Sequence, residues 1–270
     1  MPRVSIILAV HNSSGTIASA LESIVRQTFT DWECIICDDG STDGTLELVR
    51  NSIKDSNSKF ILLSNSENCG AAHARNRCID IAGGEYIAIQ DADDTSYPTR
   101  FEEQVKFVDS FPDVSIVGSY ATLSDNSKEC WGKLQAPETP KKVDWLKGSQ
   151  IIHASSLMRR KDVLAIGKYD ERLSRAEDYD LFVRMVAQGF VIRTLPKVLY
   201  DIHWDLSDYL RKTKKYRWND FKVRLKALKM FDIAPYNAIY LLKPLFVGAI
   251  PAQLLYKHHY KKFKRNERLI

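Results

Sequence analysis

The chain has few cysteines, and those it has do not suggest a disulfide framework. Five of its 270 residues are cysteine, an odd number that favours a reducing compartment. Cys34 and Cys37 form a C-x-x-C pair, but they lie inside the apolar run 32–38. We therefore interpret them as core residues and not as a redox or zinc pair.

The sequence also lacks a secretory leader and a long apolar run. Residues 1–8 enter an apolar stretch without a charged leader, a separate hydrophobic region or a cleavage site, so we expect a cytoplasmic protein. Near the C terminus the uncharged segment 244–256 has only 13 residues. A membrane-spanning helix needs about 20.

Composition and charge divide the chain into two parts. With 44% hydrophobic and 27% charged residues, the sequence predicts one large globular domain, over 1–205, with an appendage over 206–270. The appendage contains 16 Lys or Arg against 4 Asp or Glu, a net charge of +12, which leaves −7 for the remainder of a +5 chain. Such a basic segment can meet nucleic acid or an anionic membrane.

The first ninety residues repeat a strand, a loop and a helix. Apolar runs at 4–10, 32–37, 60–63 and 86–90 predict strands, and helical spacing follows the first three at 16–27, 46–53 and 71–81. This alternation indicates an α/β fold with a mostly parallel sheet. The loops at the carboxyl ends of its strands then meet at one crevice, where ligands bind in such sheets.

Three carboxylates follow the fourth predicted strand directly: Asp91, Asp93 and Asp94. Like charges this close repel one another, and a hard divalent cation with oxygen ligands is the usual remedy. A cation with open positions can hold a diphosphate. The alternative is an acidic turn in which Asp91 or Asp94 caps a helix beginning near Pro98.

Two other loops carry candidate ligand contacts. Gly40 and Gly44 permit a tight turn, and the Asp39 carboxylate then projects into the crevice, where it can accept hydrogen bonds from a base. The alternative for this loop is a pair of helix N-caps. Arg75 can reach a base or a phosphate, or it is an exposed helical arginine.

The second half of the chain is less regular. We predict a helix at 101–111, strands at 114–120 and 155–160, and a polar excursion at 123–147 that shapes a second pocket. An amphipathic helix opens near 177 with Glu177, Asp178 and Asp180 in its first turn. Acidic side chains at this position are stabilised by the helix dipole. A carboxylate at the start of a helix also has a fixed orientation, which a general base requires.

Taken together, these motifs strongly resemble the family 2 nucleotide-sugar glycosyltransferases, in order and in spacing, over about residues 3–203. The resemblance implies the GT-A fold, a Rossmann-like and mostly parallel sheet with flanking helices, together with an inverting mechanism and a Mg²⁺ or Mn²⁺ ion. The motifs that carry it are 4–7 with His11 and Asn12, 38–45, 74–76, 84–87 with 91–94, and 177–181.

The resemblance also implies a role for individual residues. Asp178 would deprotonate the acceptor hydroxyl, Asp93 and Asp91 would bind the metal, and His203 is a weaker candidate ligand, since a lone histidine is more often a loop residue. The family usually has Pro and Tyr where this chain has Ala9 and His11, although an imidazole can also stack on a base. The residues expected to hold the nucleotide, most often a uridine one, are Ala9, His11, Asn12, Asp39, Arg75, Asp91 and Ala92.

By the same resemblance, residues from 1 to about 120 would bind the nucleotide-sugar and residues from about 121 to 205 the acceptor. Transfer of a hexosyl or N-acetylhexosaminyl group to a saccharide or lipid-linked acceptor, in bacterial-type surface polysaccharide assembly, is the function we expect. A nucleotidyltransferase and a non-catalytic nucleotide-binding module are the alternatives. The loop 9–16 has one Gly and no Arg, unlike a nucleotidyltransferase phosphate loop, and Asp178 argues against a non-catalytic module.

For the basic appendage we expect the cytoplasmic surface of a membrane as partner and no nucleic acid. The residues predicted to enter lipid are Phe246, Val247, Ile250, Leu254 and Leu255, and those predicted to meet headgroups are Lys257, Lys261, Lys262, Lys264 and Arg265. The alternative is that these helices pack back on the main domain.

Overall fold

A parallel sheet forms from the first half of the chain. The computed structural model describes residues 1–54, 59–125, 130–204, 214–243, 247 and 250–266. β1 is central and pairs in parallel with β2 on one side and β4 on the other, and β3 extends the sheet beyond β2. The elements are β1 (Val4–Val10), α1 (Ile17–Val25), β2 (Trp32–Asp39), α2 (Thr45–Ile53), β3 (Phe60–Asn65), α3 (Ala71–Ile81) and β4 (Tyr86–Asp91).

These strands form because they are rich in β-branched and other apolar residues, as a sheet covered on both faces requires, although Ser5 and Glu33 interrupt the runs in β1 and β2. Alternate residues of β1 enter two separate cores, Ile7 on one face and Ile6 on the other. Cys34 and Cys37 are both fully buried in β2, one in each core, which confirms them as core residues.

The second half of the chain continues the same sheet, in the order β3-β2-β1-β4-β8-β6-β9-β5, with β7 paired to β6. β8 is antiparallel to both β4 and β6, and β9 is parallel to β6. β6 passes through residue 120, so the two predicted halves share one sheet. The elements are β5 (Thr95–Ser96), α4 (Arg100–Ser110), β6 (Val114–Ser124), β7 (Cys130–Leu134), β8 (Leu157–Arg159), α5 (Arg160–Ala165), α6 (Glu177–Ala187) and β9 (Val191–His203), with 3₁₀ helices at Lys142–Lys147 and His153–Ser155.

The sequence did not predict β7 or β9, and the excursion expected to begin at 123 contains part of β6 and the hairpin strand β7. β9 escaped notice because Pro196 and Lys197 interrupt its apolar pattern. The register jumps there from Ser119 opposite Leu195 to Tyr120 opposite Val198, so these two residues bulge out of the ladder. A bulge is one of the few places where a sheet accepts proline.

The appendage packs on the main domain. It contains α7 (Lys214–Met230), a 3₁₀ helix (Pro235–Leu242) and α8 (Ala252–Asn266). Val223, Ala227 and Phe231 are buried in the same core as Ile7. Arg224 donates to the carbonyl of Leu146 at 2.6 Å, which fixes α7 to the 3₁₀ helix Lys142–Lys147.

α8 has an aromatic inner face and a basic outer face. Tyr260 stacks on Trp131 of β7, with ring centroids 5.1 Å apart, and Phe263 lies 6.1 Å from Trp204. Lys257, Lys261 and Lys262 are exposed on the other side. Leu255 is buried, so its predicted contact with lipid is wrong, because it packs against protein. Phe246 and the side chains of Lys264 and Arg265 lie outside the described part of the structure.

Within the described ranges, no helix has both the length and the apolar character needed to cross a membrane.

Candidate active site

A cavity of about 420 Å³ opens at the carboxyl ends of β1, β2 and β4. Parallel strands end together at this edge, so the loops that follow them share one opening. Every residue predicted to hold the nucleotide or the metal lines this cavity: Ala9, His11, Asn12, Asp39, Arg75, Asp91, Ala92, Asp93 and His203.

The loops after β1 and β2 are joined to each other at the cavity. Asn12 accepts a hydrogen bond from the backbone N–H of Thr42 at 2.8 Å and donates its own N–H to Ser41 Oγ at 3.0 Å. The exposed ring of His11 is held through Nδ1 by the carbonyl of Asp39 at 2.8 Å. The ring face therefore stands at a fixed place on the rim, where a flat base can stack.

Asp39 differs from its prediction. Its carboxylate is 3% exposed, and it accepts hydrogen bonds from Asn65 Nδ2 at 2.6 Å, Cys69 N at 2.9 Å and Gly70 N at 2.8 Å. It thus holds the loop that leads into α3, instead of projecting freely into the crevice. This loop comes so close that a Cβ on Gly40 would lie 2.5 Å from the carbonyl carbon of Glu67.

Hydrogen bonds between Asp94 and residues of β9 hold the acidic turn after β4 in place. Asp94 is buried and accepts hydrogen bonds from the backbone N–H of His203 at 2.9 Å and from the Tyr200 hydroxyl. Burial and the charges of Asp93 and Asp91 raise the pKa of Asp94 well above its usual value. Asp94 does not cap a helix, because α4 starts at Arg100 without a side-chain cap.

A buried cation lies beneath this turn. The Arg100 side chain is fully buried and donates to the carbonyl oxygens of Ile89 at 2.8 Å and Ala154 at 3.2 Å. Burial lowers its pKa to about 10, so it stays charged at neutral pH. Its guanidinium also lies 4.8 Å from the centre of the Tyr200 ring, under the acidic cluster. The positive charge offsets part of the repulsion among the carboxylates.

Arg75 bridges the acidic turn and the start of α6. It donates to Asp91 Oδ1 at 3.2 Å and to Glu177 Oε1 at 2.8 Å, and its side chain is only 11% exposed. The alternative of an exposed helical arginine is therefore wrong. The Asp91 carboxylate was expected to rely on a metal for its counter-charge, but in this structure Arg75 supplies one.

Asp178 follows the bridged Glu177 at the start of α6. Burial, with the adjacent Glu177 charge as the second cause, raises the pKa of Asp178 to about 7, while Arg75 opposes the rise. A carboxylate with a pKa near neutrality can accept a proton from a hydroxyl in the course of a reaction. Asp178 is not among the residues that line the nucleotide cavity, whereas Arg75, which binds the adjacent Glu177, is.

Two residues that the sequence did not single out complete the site. His153 Nε2 and the Tyr169 hydroxyl share a hydrogen bond of 2.8 Å, and the Arg75 guanidinium lies 5.8 Å from the centre of the Tyr169 ring. Burial lowers the pKa of His153 to about 3, so this imidazole is neutral at pH 7. The pair forms a polar but uncharged wall beside Arg75.

Asn76, the residue after Arg75 on α3, fixes the position of this wall. It donates to the carbonyl of Tyr169 at 2.9 Å and to Glu171 at 2.7 Å, and it accepts from the N–H of Tyr169 at 3.1 Å. The sequence predicted no such role for Asn76, because its partners lie more than ninety positions away.

The residues at the acidic turn fit a divalent ion that a substrate completes. The described residues hold no group of three or more His, Cys, Asp or Glu placed as a full metal cage. Mg²⁺ typically takes one or two carboxylates and completes its shell with phosphates and water. Asp91 and Asp93 line one cavity and supply the one or two carboxylates of such a site.

The model of glycosyl transferase family 2 matches residues 5–167, which include β2, β4 and nearly all of β1. The chain belongs to glycosyl transferase family 2. Among relatives, a Bacillus subtilis protein named as a glycosyltransferase, EpsE, is 31% identical over 97% of this chain and 94% of its own length. The family decides against a nucleotidyltransferase and against a non-catalytic module.

A second relative of this glycosyltransferase has a more specific name. The Escherichia coli protein WfaP, a UDP-Glc:α-D-GlcNAc-diphosphoundecaprenol β-1,3-glucosyltransferase, is 33% identical over 75% of this chain and 78% of its own length. Its name gives that protein a nucleotide-sugar donor and a lipid-linked acceptor.

Solved structures show that this glycosyltransferase has the GT-A fold predicted from the sequence. Staphylococcus aureus TarS in complex with UDP-GlcNAc matches with a TM-score of 0.71 and 18% identity, over 90% of this chain and 71% of that one. The mannosyltransferase PcManGT of Pyrobaculum calidifontis, in complex with GDP-Man and Mn²⁺, matches with a TM-score of 0.63 and 21% identity, over 98% and 83%.

Proposed function

We propose that this enzyme transfers a hexosyl or N-acetylhexosaminyl group from a UDP-sugar to a hydroxyl of a saccharide or lipid-linked acceptor, with inversion at the anomeric carbon. The observation that carries the proposal is the Arg75 bridge, which holds the nucleotide-side Asp91 and Glu177, the neighbour of Asp178 at the start of α6, through two nitrogens of one guanidinium. Direct displacement needs both acidic groups around one bound sugar, because the leaving group and the attacking hydroxyl occupy opposite faces of that sugar.

The donor's base would lie against the rim formed by Ala9, His11 and Asn12, with Asp39 holding the neighbouring loop. Asp91 and Ala92 would contact the ribose. Arg75 would act on the donor through Asp91, since its donors already point to carboxylates. UDP is favoured as the nucleotide because WfaP is named for UDP-Glc and TarS was solved with UDP-GlcNAc.

Asp91 and Asp93, with His203 as a weaker ligand, would hold Mg²⁺ or Mn²⁺ together with the donor diphosphate. The ion would stabilise the negative charge that develops on the leaving diphosphate. The structure of PcManGT in complex with GDP-Man and Mn²⁺ supports the assignment.

Asp178 would be the general base. The change Asp178→Asn should abolish transfer, because the amide cannot accept the hydroxyl proton, while the affinity for UDP measured by calorimetry stays unchanged. Loss of UDP binding in this variant would make Asp178 a structural residue. Retention of the donor's anomeric configuration would exclude direct displacement.

The place of action would be the cytoplasmic face of a membrane, on an acceptor of surface polysaccharide assembly. The WfaP name, with its diphosphoundecaprenol acceptor, supports this placement. In this proposal residues 1–205 form the catalytic domain, with the nucleotide-sugar half at about 1–120 and the acceptor half at about 121–205. Residues 206–270 form the membrane-associating segment, and nucleic acid is not a partner.

A donor screen tests the proposal. Purified full-length protein is incubated with UDP-, GDP- and dTDP-sugars, with Mg²⁺ or Mn²⁺, and with or without lipid-linked saccharide acceptors, and the release of nucleoside diphosphate is measured. We expect release that depends on a UDP-sugar, rises with acceptor and is absent in Asp178→Asn. Release from GDP- or dTDP-sugars alone would overturn the UDP assignment.

A further inference from the structure

The 3₁₀ helix Pro235–Leu242 exposes a line of apolar side chains. Tyr236 is 80% exposed, Ile239 is 68% exposed and Leu242 is 45% exposed. A 3₁₀ helix has three residues per turn, so these positions lie one above the next on a single face. Isolated exposed apolar residues are common on proteins, but a continuous line of them marks a contact surface. We name these three residues the apolar stripe.

The stripe stands on a firmly seated helix. Asn237 and Leu241, between the stripe positions, are buried at 8% and 7% exposure. The Lys147 ammonium lies 5.5 Å from the centre of the Tyr240 ring, which ties the helix to the domain. Since the opposite face is packed, the three side chains cannot turn inward without breaking these contacts.

Cations border the stripe. Lys243 directly follows the helix and is exposed. Burial lowers the pKa of Lys243, and the like charges of Arg224 and Lys262 lower it further. Lys257, Lys261 and Lys262 on the outer face of α8 are also exposed. An apolar line with lysines beside it complements a bilayer that carries anionic headgroups.

We propose that Tyr236, Ile239 and Leu242 enter the headgroup region of an anionic membrane, while Lys243 and Lys262 contact its phosphates. The proposal rests on the proposed use of a membrane-bound acceptor and names the surface that reaches the membrane. It adds the 3₁₀ helix to the lipid contacts predicted from the sequence, of which Ile250 and Leu254 are also exposed, at 44% and 58%. Leu255 of α8 is buried, whereas the stripe is open.

Vesicle co-sedimentation tests the stripe and the cations separately. The vesicles contain equal parts of phosphatidylcholine and phosphatidylglycerol, and neutral vesicles contain phosphatidylcholine only. The change of all three stripe residues to Ser should weaken binding to the anionic vesicles about tenfold or more. Lys243→Glu with Lys262→Glu should weaken it similarly and reduce its dependence on salt.

A matched variant controls for the loss of exposed apolar surface in general. Val25, Leu48 and Leu164 are also exposed, at 57%, 41% and 39%, and lie on α1, α2 and α5. Changing these three to Ser should leave vesicle binding unchanged. Equal loss in both triple variants would overturn the proposal, as would wild-type protein that stays in solution with anionic vesicles at low salt.

A fluorescent label reports insertion directly and does not depend on a folding-sensitive variant. With the exposed Cys69 and Cys130 changed to Ser, Ile239→Cys is labelled with an environment-sensitive dye, and Lys106→Cys on α4 serves as the control position. Anionic vesicles should shift the emission of the 239 label to the blue and leave the 106 label unchanged. A shift that instead grows with protein concentration, without lipid, would assign the stripe to a second copy of this chain and reject the membrane.

Transfer to a soluble saccharide acceptor separates this proposal from the proposed function. The stripe variant should keep its rate with that acceptor, because the stripe lies outside the nucleotide cavity. Wild-type protein that binds vesicles but transfers no sugar would refute the proposed function and leave the membrane surface standing.

Discussion

Arg75 donates a hydrogen bond of 2.8 Å to Glu177, and this contact joins α3 to the first turn of α6. The two residues are more than one hundred positions apart in sequence, and both side chains are nearly buried, at 11% and 13% exposure. Since Glu177 precedes Asp178, the bridge fixes where the expected base stands relative to the nucleotide cavity. The same guanidinium holds Asp91.

Loss of the Arg75 guanidinium should destabilise the protein. Arg75→Met leaves the Glu177 carboxylate nearly buried without its partner, and breaking such a pair costs about 3 kcal/mol or more. Urea denaturation followed by circular dichroism measures the difference. Arg50→Met is the control, because Arg50 is exposed on α2 and should change the free energy of unfolding very little. Equal midpoints for the two variants would mean that the bridge adds no stability.

The rate of transfer should depend on pH through Asp178. Burial and Glu177 raise the pKa of Asp178 to about 7, and the base works only when it is deprotonated. The value of kcat/KM should therefore fall about tenfold per pH unit below that pKa and level off above it. Asp91 also raises this pKa, whereas Arg75 and the hydrogen bond from the Tyr179 N–H lower it.

The change Glu177→Gln sharpens this prediction. It removes the neighbouring negative charge, so the pKa of Asp178 should fall and the acidic limb of the profile should move to lower pH. Glu102→Gln is the matched control, because Glu102 is exposed on α4 and should leave the limb in place. An acidic limb that does not move in Glu177→Gln would assign the titration to another group.

The location of the cavity could be predicted from the sequence, because it depends only on where the parallel strands end. The runs that form β1, β2 and β4 are largely apolar, so their following loops could be placed together without coordinates. His153 and Tyr169 could not be found in this way, because they come from the irregular second half and meet only through the fold. Nor could the sequence show that Arg75 points to Glu177. The partner of a long side chain is decided by packing, and its spacing within a motif leaves several options.

Removal of divalent cations should stop transfer. Asp91 and Asp93 line one cavity, and such carboxylates bind Mg²⁺ or Mn²⁺ weakly until a diphosphate completes the shell. Protein treated with EDTA should lose activity and regain it with either ion. Asp93→Asn should cut the rate severely and weaken Mn²⁺ binding in the presence of UDP, measured by calorimetry.

The melting temperature of Asp93→Asn should stay near that of the wild type, since Asp93 is exposed at the mouth of the cavity. A large drop would instead give this residue a structural role. Full turnover of the wild type in EDTA would contradict the assignment of a metal site.

Gly40 should tolerate no side chain, because two separate constraints act on it. Its φ of +67° lies in the left-handed region, and an added Cβ would lie 2.5 Å from the carbonyl carbon of Glu67 and 2.9 Å from the backbone nitrogen of Asn68. Gly40→Ala should therefore lower the free energy of unfolding by about 1 to 3 kcal/mol. It should also displace the loop that Asp39 holds, so the affinity for UDP should fall together with the stability.

Gly83→Ala is the control. A Cβ added at Gly83 would lie 3.5 Å from the nearest atom outside the local chain, which is an ordinary contact, and the φ of Gly83 is not in the left-handed region. Thermal melting and calorimetry with UDP on both variants check the prediction, and a Gly40→Ala protein that binds UDP as the wild type does would show that the Asp39 loop does not shape the nucleotide site.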